Sequence, residues 1–252
     1  MLVRFDRIQK TYQSPNGEIP ALLDVSFTVE DGAFVSIVGP SGCGKSTLLN
    51  ILAGLEKPSG GQVSLDGEPV DGISPRVGYM PQKDQLLSWR TIWGNVMLGL
   101  EIQGKKDETG SQRVRTLLQR YGLGEFERKL PNQLSGGMRQ RCALIRTLAT
   151  DPGLLLLDEP FSALDYQTRL AVSDDIHRII RQEEKTALLV THDIAEAVSM
   201  SDQVVVLSRR PGSVKSIHDL SALRGLSPME RRDHGDFHRY FNAVWKELDH
   251  GG

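Results

Sequence analysis

The segment GPSGCGKST, from Gly39 to Thr47, limits the possible folds more than any other part of the sequence. It matches the pattern G-x-x-x-x-G-K-[ST], follows the strand-like run FVSIV and opens the helical run STLLNIL. The glycines allow consecutive backbone N–H groups to face inward at a helix start, where the helix dipole also favours an anion. The pattern therefore predicts a strand, a phosphate-binding loop and a helix in direct succession, and we call Gly39–Thr47 the phosphate loop.

Each residue type in the phosphate loop suggests a contact with a nucleotide. Lys45 would place its charge on the β- and γ-phosphates, and the Ser46 hydroxyl is a hard oxygen ligand for Mg²⁺. Cys43 lies near a helix N-terminus, a position that lowers a thiol pKa, so we expect its alkylation to block nucleotide binding. The expected nucleotide contacts in this loop are Gly39, Pro40, Ser41, Gly42, Cys43, Gly44, Lys45, Ser46 and Thr47.

Short apolar runs alternate with helical patterns along much of the remaining sequence. The runs AFVSIVG, GLLLLDEP, TALLVTH and QVVVLS are typical of buried strands, and helical patterns separate the last three. This alternation predicts an α/β fold of the P-loop NTPase type, with a largely parallel sheet at its core. The run GQVSLDGEPV predicts a short strand pair, which adds a small antiparallel β part.

Two parts of the chain depart from this alternation. Residues from about 91 to 148 place apolar residues at three- and four-residue spacing, which predicts an inserted helical subdomain. A C-terminal extension, about 211–252, ends in a helical pattern with an apolar stripe. We expect this stripe to pack onto its own domain, with a dimer or regulatory contact as the alternative. The stripe contains Phe237, Tyr240, Phe241, Val244, Trp245 and Leu248. The segment SPNGEIPA, residues 14–21, predicts a turn between two strands.

Polar side chains at predicted strand ends are candidates for the chemistry. Asp158 ends a buried strand, so its carboxylate should emerge at the carboxyl edge of the sheet and hold Mg²⁺ through water. Glu159 follows it and is the candidate general base for an attacking water. His192 also ends a strand and would reach the γ-phosphate, while Gln82 would contact Mg²⁺ or the water. Tyr12 offers a flat face for adenine, although a tyrosine of the core is an equal alternative.

Charge, cysteine usage and hydropathy restrict the partners. The net charge of -2 gives no basic excess, so we expect no nucleic acid. The two cysteines are too few for a disulfide framework and indicate a reducing compartment. No apolar run approaches the roughly 20 residues that span a bilayer, so we expect the chain not to enter a membrane by itself.

The segment LSGGMRQR, residues Leu134–Arg141, places a serine and two glycines at the start of a predicted helix. Bare backbone at such a position suits an anion. With this segment, the order Tyr12, GPSGCGKST, MPQ, LSGGMRQR, LLLLDEP, SALD and TH resembles the ATP-binding subunits of ABC transporters. The resemblance covers nearly the whole chain and implies a single ABC ATP-binding domain, 1–252. We call Leu134–Arg141 the signature segment.

The resemblance implies a head-to-tail dimer in which each ATP lies between the phosphate loop of one copy and the signature segment of the other. Ser135, Gly136 and Gly137 would then hold the γ-phosphate of the partner's ATP, and Asp165 of SALD would lie along the interface. It also implies the roles given above to Gln82, Glu159, His192 and Tyr12. Separate integral membrane permease subunits, and indirectly a solute-binding protein, would be the partners, with the chain peripheral at the cytoplasmic face of the membrane.

A finer resemblance concerns the solute. The segments QKDQLLSWRTIWGNV and VVVLSRRPGSV look like the nitrate/sulfonate/taurine branch of importers, although Ser88 stands where proline is commoner. The alternatives are an exporter or lipoprotein-release ATPase, and a non-transport ABC ATPase acting on nucleic acid. One phosphate loop, no zinc-spaced cysteine pairs and no sustained heptads favour transport over the last of these.

Overall fold

A computed structural model describes residues 1–15 and 17–249, apart from the side chain of Asp249. Within these residues the chain forms two β-sheets, one of six strands and one of four, together with eight α-helices. The strands are β1 (Val3–Ser14), β2 (Gly17–Val29), β3 (Phe34–Val38), β4 (Gly60–Leu65), β5 (Glu68–Pro69), β6 (Val77–Met80), β7 (Leu154–Asp158), β8 (Thr186–Val190), β9 (Gln203–Leu207) and β10 (Val214–Asp219). The helices are α1 (Lys45–Leu52), α2 (Ile92–Ile102), α3 (Glu108–Arg120), α4 (Gly136–Ala149), α5 (Tyr166–Gln182), α6 (Ile194–Met200), α7 (Pro228–Asp233) and α8 (Gly235–Asp249).

The six-stranded sheet has the order β10-β9-β3-β8-β7-β6, and only β10 runs antiparallel to its neighbour. Every residue of β3 and β8 is buried, because helices cover both faces of a parallel sheet and leave no polar side for alternation. The predicted P-loop NTPase fold with a largely parallel core is therefore confirmed. All parallel strands end at one edge, which brings the segments after β3, β6, β7 and β8 together.

The four-stranded sheet, in the order β2-β1-β4-β5, is antiparallel throughout and matches the small antiparallel part expected from the sequence. The predicted turn at residues 14–21 is too long, because β1 and β2 stay paired up to Ser14 and Gly17. Pro20 does not break β2, since it pairs with Thr11 at a position where the register shifts. A bridge between Leu22 and Gly212 links this sheet to the loop between β9 and β10.

Between β6 and β7 the chain forms α2, α3 and α4, in the stretch where the sequence predicts helices. Their apolar faces share one cluster with α5 and with one face of the six-stranded sheet. Thr91, Asp107 and Ser135 cap the three helices, and each side chain accepts a hydrogen bond from a backbone N–H of the first turn. No helix within residues 1–15 and 17–249 is long and apolar enough to cross a membrane.

The C-terminal part contributes β10, which the sequence analysis did not foresee, and the helices α7 and α8. The apolar stripe of α8 packs on its own domain as expected, in a cluster with α6 and β9, although Trp245 is half exposed. Arg231 of α7 is completely buried, donates to the carbonyl of Ser201 and lies 3.6 Å from Asp202. Asp202 in turn accepts from the backbone N–H of Phe34, the first residue of β3. Residues 250–252 of the predicted extension lie outside the described residues.

Candidate nucleotide-binding site

The phosphate loop connects β3 to α1, and α1 begins without a side-chain cap. Gly44 precedes its first residue with φ 104°, a left-handed conformation that glycine adopts without strain. A side chain caps each of α2 to α7, so α1 differs from them in leaving its first N–H groups to the loop. Free N–H groups at a helix start are the donors that a phosphate needs.

Lys45 points into the phosphate loop. Its side chain is 7% exposed, and Nζ donates to the carbonyls of Gly39 at 2.8 Å and Pro40 at 3.1 Å. These two bonds hold the ammonium at the mouth of the loop and compensate for its lost hydration. The charge is thus in place before a phosphate arrives.

The thiol of Cys43 does not have the lowered pKa that the sequence predicts. Its side chain is buried, and burial raises the pKa of the thiol, although Lys45 nearby acts in the opposite direction. A buried thiol loses the hydration that stabilises the thiolate, and this loss outweighs the helix N-terminus. The expectation of a thiol with a lowered pKa is therefore wrong, and Cys43 contributes its backbone rather than a reactive side chain to the loop.

A cavity of about 740 Å³ opens beside the phosphate loop. Its size suits a nucleotide. The residues around it are Tyr12, Ala21, Ser41, Gly42, Gly44, Lys45, Ser46, Thr47, Glu159, His192 and Arg210. Tyr12 and the loop were expected here, and so were Glu159 and His192. Ala21 and Arg210 were not, because a residue on an edge strand and one in a distant loop carry no motif that points to phosphate chemistry.

Ser46 and Asp158 meet beside the cavity. The Ser46 hydroxyl lies 3.3 Å from Oδ1 of Asp158, and Tyr79 donates to Oδ2 at 3.0 Å. Burial raises the pKa of Asp158, while the hydroxyls of Tyr79 and Ser46 lower it. A partly buried carboxylate beside a hydroxyl offers the hard oxygen atoms that Mg²⁺ prefers, so these residues fit that ion.

Glu159 lies between two other residues that the sequence singled out. Its Oε2 is 3.1 Å from Nδ1 of His192 and 3.3 Å from Nε2 of Gln82. Gln82 also donates to Ser162 at 3.3 Å, so its amide lies on the Glu159 side of the site rather than beside Ser46. The backbone of Glu159 has φ 45°, an uncommon left-handed conformation for a residue with a side chain. The carboxylate of Glu159 thus has His192 and Gln82 as partners, whereas that of Asp158 has Ser46 and Tyr79.

Tyr12 lines the cavity beside Thr47. Its hydroxyl donates to Glu56 at 2.7 Å and lies 3.2 Å from the Thr47 hydroxyl. The ammonium of Lys10 is 5.0 Å from the ring centroid, yet Lys10 does not line the cavity. The ring is thus fixed at its hydroxyl end beside the last residue of the phosphate loop.

The signature segment does not line this cavity. Ser135 is exposed, and its hydroxyl accepts from the Met138 N–H at 3.3 Å, which leaves the hydroxyl proton free to donate. The glycines have a packing role that sequence reasoning missed. A Cβ on Gly137 would lie 2.7 Å from Val172, and one on Gly136 would lie 3.1 Å from Leu164. Gly137 therefore lets α4 approach α5 closely, and Gly136 lets it approach the segment before α5.

Asp165, the last residue of SALD, begins α5 next to the signature segment. Its carboxylate accepts from the Thr168 N–H at 3.0 Å, and hydrogen bonds from the side chain and the backbone of Thr168 lower the pKa of Asp165. The side chain is exposed, as is that of Ser135. The two residues thus lie on a surface that the described residues, 1–15 and 17–249, leave uncovered.

The fold and this geometry define a P-loop nucleotide-binding protein. The sequence profile described as ABC transporter matches residues 22–162. The dimeric structure of a post-hydrolysis state of the ATP-binding cassette MJ0796, bound to ADP and Pi, is similar with a TM-score of 0.73. Its identity is 33%, and the match covers 86% of this chain and 98% of that one.

Curated relatives agree with the profile. The ABC transporter ATP-binding protein YtlC of Bacillus subtilis is 45% identical over 97% of this chain and 94% of its own length. The taurine import ATP-binding protein TauB of Yersinia pestis bv. Antiqua is 47% identical, over 77% and 76%. The aliphatic sulfonates import ATP-binding protein SsuB of Bacillus thuringiensis is 35% identical, over 100% and 98%. The chain belongs to the ABC transporter family, as one of its ATP-binding subunits.

Proposed function

We propose that this chain hydrolyses ATP to ADP and phosphate and thereby powers solute uptake through separate membrane-spanning subunits. The observation that carries the proposal is the position of Glu159 between His192 and Gln82, at the edge of a cavity that also contains the phosphate loop. The import relatives TauB and SsuB support the direction of transport.

Glu159 acts as the general base in this proposal. Its carboxylate takes a proton from the water that attacks the γ-phosphate, and the Gln82 amide orients the same water. His192, bonded to Glu159, donates to the γ-phosphate from its other ring nitrogen. Lys45 exchanges its two carbonyl partners for phosphate oxygens, and the free N–H groups at the start of α1 bind the phosphate chain.

Mg²⁺ would be held by Ser46 and Asp158, with Gln82 as a further ligand. When bound, the ion neutralises part of the phosphate charge. Ser46 and Asp158 already lie side by side, whereas Gln82 would have to turn from Ser162. Asp158 keeps its carboxylate oriented through the hydroxyl of Tyr79.

Two copies of the chain form the complete site in this proposal. Ser135, Gly136 and Gly137 of one copy contact the γ-phosphate bound by the other, and Asp165 lies along the interface. Three observations support this arrangement: Ser135 and Asp165 are exposed, neither is among the residues around the cavity, and the MJ0796 cassette is dimeric.

We propose that the whole chain, 1–252, is one ABC ATP-binding domain, peripheral at the cytoplasmic face of the membrane. Its helical part, about 91–148, binds the permease subunits, and Gln82 at the start of that part transmits the nucleotide state. The solute is of the nitrate, sulfonate or taurine type, delivered by a solute-binding protein. The names of TauB and SsuB support this class of solute.

The substitution Glu159→Gln tests the proposal, because it removes the base and keeps the shape. We expect turnover to fall about 10²- to 10⁴-fold, with ADP affinity unchanged and a stable ATP-bound dimer in light scattering. Glu184→Gln is a matched control, since Glu184 also has a left-handed backbone, φ 52°, but is exposed between α5 and β8. Normal hydrolysis by the Glu159 variant, or a monomer in ATP, would contradict the proposal.

A further inference from the structure

Arg210 is a cationic residue of the cavity that no part of the proposed chemistry uses. It lies in the loop between β9 and β10, about 165 residues after the phosphate loop, and its side chain is exposed. It lines the cavity together with Tyr12 and Ala21, and its anchor Pro20 is the residue before Ala21 on β2. A guanidinium held beside β2 can contact a nucleotide without competing with Lys45.

The loop that carries Arg210 is fixed against β2. The Gly212 N–H donates to the Ala21 carbonyl at 2.9 Å, and the Leu23 N–H donates to the Gly212 carbonyl at 2.9 Å. Any Cβ on Gly212 would collide with the carbonyl oxygen of Cys43 in the phosphate loop. The loop between β9 and β10 is therefore packed directly on the phosphate loop, and only glycine permits that approach.

The guanidinium itself is anchored at one nitrogen only. Its Nε donates to the Pro20 carbonyl at 3.0 Å. Within the part of the chain that the structure describes, its two terminal nitrogens have no hydrogen-bond acceptor and no carboxylate partner. Arg210 thus presents a positioned, planar cation whose remaining donors face no protein group.

Tyr12 and Arg210 flank β2 from opposite sides. Pro20, which anchors Arg210, pairs with Thr11 of β1, and Tyr12 is the next residue on that strand. Two strand spacings, roughly 10 Å, separate the backbones on either side of β2, which leaves room for a flat ring between the side chains. Ala21 lies between them and presents only a methyl group.

We propose that Arg210 forms the second wall of a purine subsite, opposite Tyr12, with its guanidinium plane against the base of the bound nucleotide. An arginine stacks on an aromatic face through its flat, weakly hydrated cation, and the larger surface of a purine gains more than that of a pyrimidine. The inference rests on the proposed nucleotide site. It adds a residue that makes the site prefer purine over pyrimidine nucleotides.

Titration calorimetry with unlabelled ADP and CDP tests this role, because the two ligands share the diphosphate and the ribose. We expect Arg210→Ala to weaken ADP binding roughly 5- to 10-fold and CDP binding less than twofold. Arg210→Lys keeps the charge but loses the flat face, so it should also weaken ADP binding at least about threefold. Equal melting temperatures would show that each variant is folded.

Arg209→Ala is the matched control. It removes one positive charge from the same loop, but Arg209 is not among the residues around the cavity. Arg209 lines a neighbouring groove, which shares Ser41 and His192 with the cavity. Its ADP affinity should stay within twofold of the unchanged chain. Equal losses for ADP and CDP in Arg210→Ala, or wild-type ADP affinity in Arg210→Lys, would assign Arg210 to the phosphates or ribose and overturn the purine subsite. Failure of the unchanged chain to bind ADP would instead refute the nucleotide site itself.

Discussion

The phosphate loop and the signature segment are both glycine-containing helix starts, yet the chain builds them differently. At the phosphate loop no side chain caps α1, and the buried Lys45 is already oriented by two carbonyls. At the signature segment Ser135 caps α4 through the Met138 N–H and is itself exposed. One region is a formed cradle for an anion, whereas the other is an exposed helix start, on which our proposal places the nucleotide of a second copy.

The glycines sharpen this difference. Gly44 is required for its backbone, because φ 104° strains any other residue. Gly137 is required for its size, because α5 lies where a Cβ would project. The same residue type thus provides conformation in one region and close packing in the other, and the two regions should respond differently to substitution.

The largest effect should come from Lys45→Ala in the phosphate loop. We expect ADP affinity to fall roughly 100-fold, because a hydrogen bond to a charged group contributes about 1.5–3 kcal/mol. Calorimetry with ADP measures the loss, and ATP turnover should disappear with it. Lys57→Ala is the control, since Lys57 is exposed, pairs with Asp71 and is not among the residues around the cavity. Unchanged ADP affinity in the Lys45 variant would contradict the view that the phosphate loop is a formed anion site and the signature segment is not.

A smaller effect on turnover, and none on single-chain binding, should follow from Ser135→Asp. Aspartate caps a helix as well as serine does, but its charge would oppose the partner's γ-phosphate. We expect turnover to fall about 30-fold or more, because juxtaposed like charges cost several kcal/mol. ADP affinity of the isolated chain should stay within twofold.

Ser135→Asn is the matched control for this test, because asparagine caps a helix equally well without a charge. It should lower turnover far less than the aspartate variant. If Ser135→Asp weakened ADP binding to the single chain as strongly as it slowed turnover, the signature segment would belong to its own chain's site.

The smallest effect concerns Cys43. Because burial raises its pKa, the thiol stays protonated at pH 8, and its alkylation rate should still be rising above pH 9, where a free thiol levels off. In a Cys142→Ala background we expect iodoacetamide to react roughly tenfold more slowly than with free cysteine, because both burial and a low thiolate fraction slow it. Fast modification at pH 7 would show instead that the phosphate loop leaves the sulfur of Cys43 accessible.

Much of this site could be predicted because strand ends are visible in sequence. Asp158 and His192 each follow a run of buried β residues, so their meeting at one sheet edge required only a parallel sheet. The reactivity of Cys43 could not be predicted, because burial depends on packing with residues such as Gly39 and not on the helix start. Arg210 could not be predicted either, because it lies on the loop between β9 and β10. No local sequence pattern shows that this loop packs against β2.

The same limit explains the missed strand. β10 has the sequence VKSIHD, with four polar residues among six and no buried run, and it becomes a strand only because β9 offers an edge. The turn predicted at residues 14–21 is shorter in the structure for a similar reason. The pairing of β2 with β1 begins at Gly17 and overrides the preference of the breaker residues for a turn.

The buried Arg231 has a consequence for shortened forms of this protein. Deleting the residues after Pro211 would remove β10 and leave β9 with an unpaired edge that can recruit other chains into aggregates. Asp202 would also lose one of its two guanidinium neighbours, at the base of the strand that leads to the phosphate loop. Inactivity of such a truncation would report a misassembled sheet, and a regulatory role for the tail has to be sought with point substitutions instead.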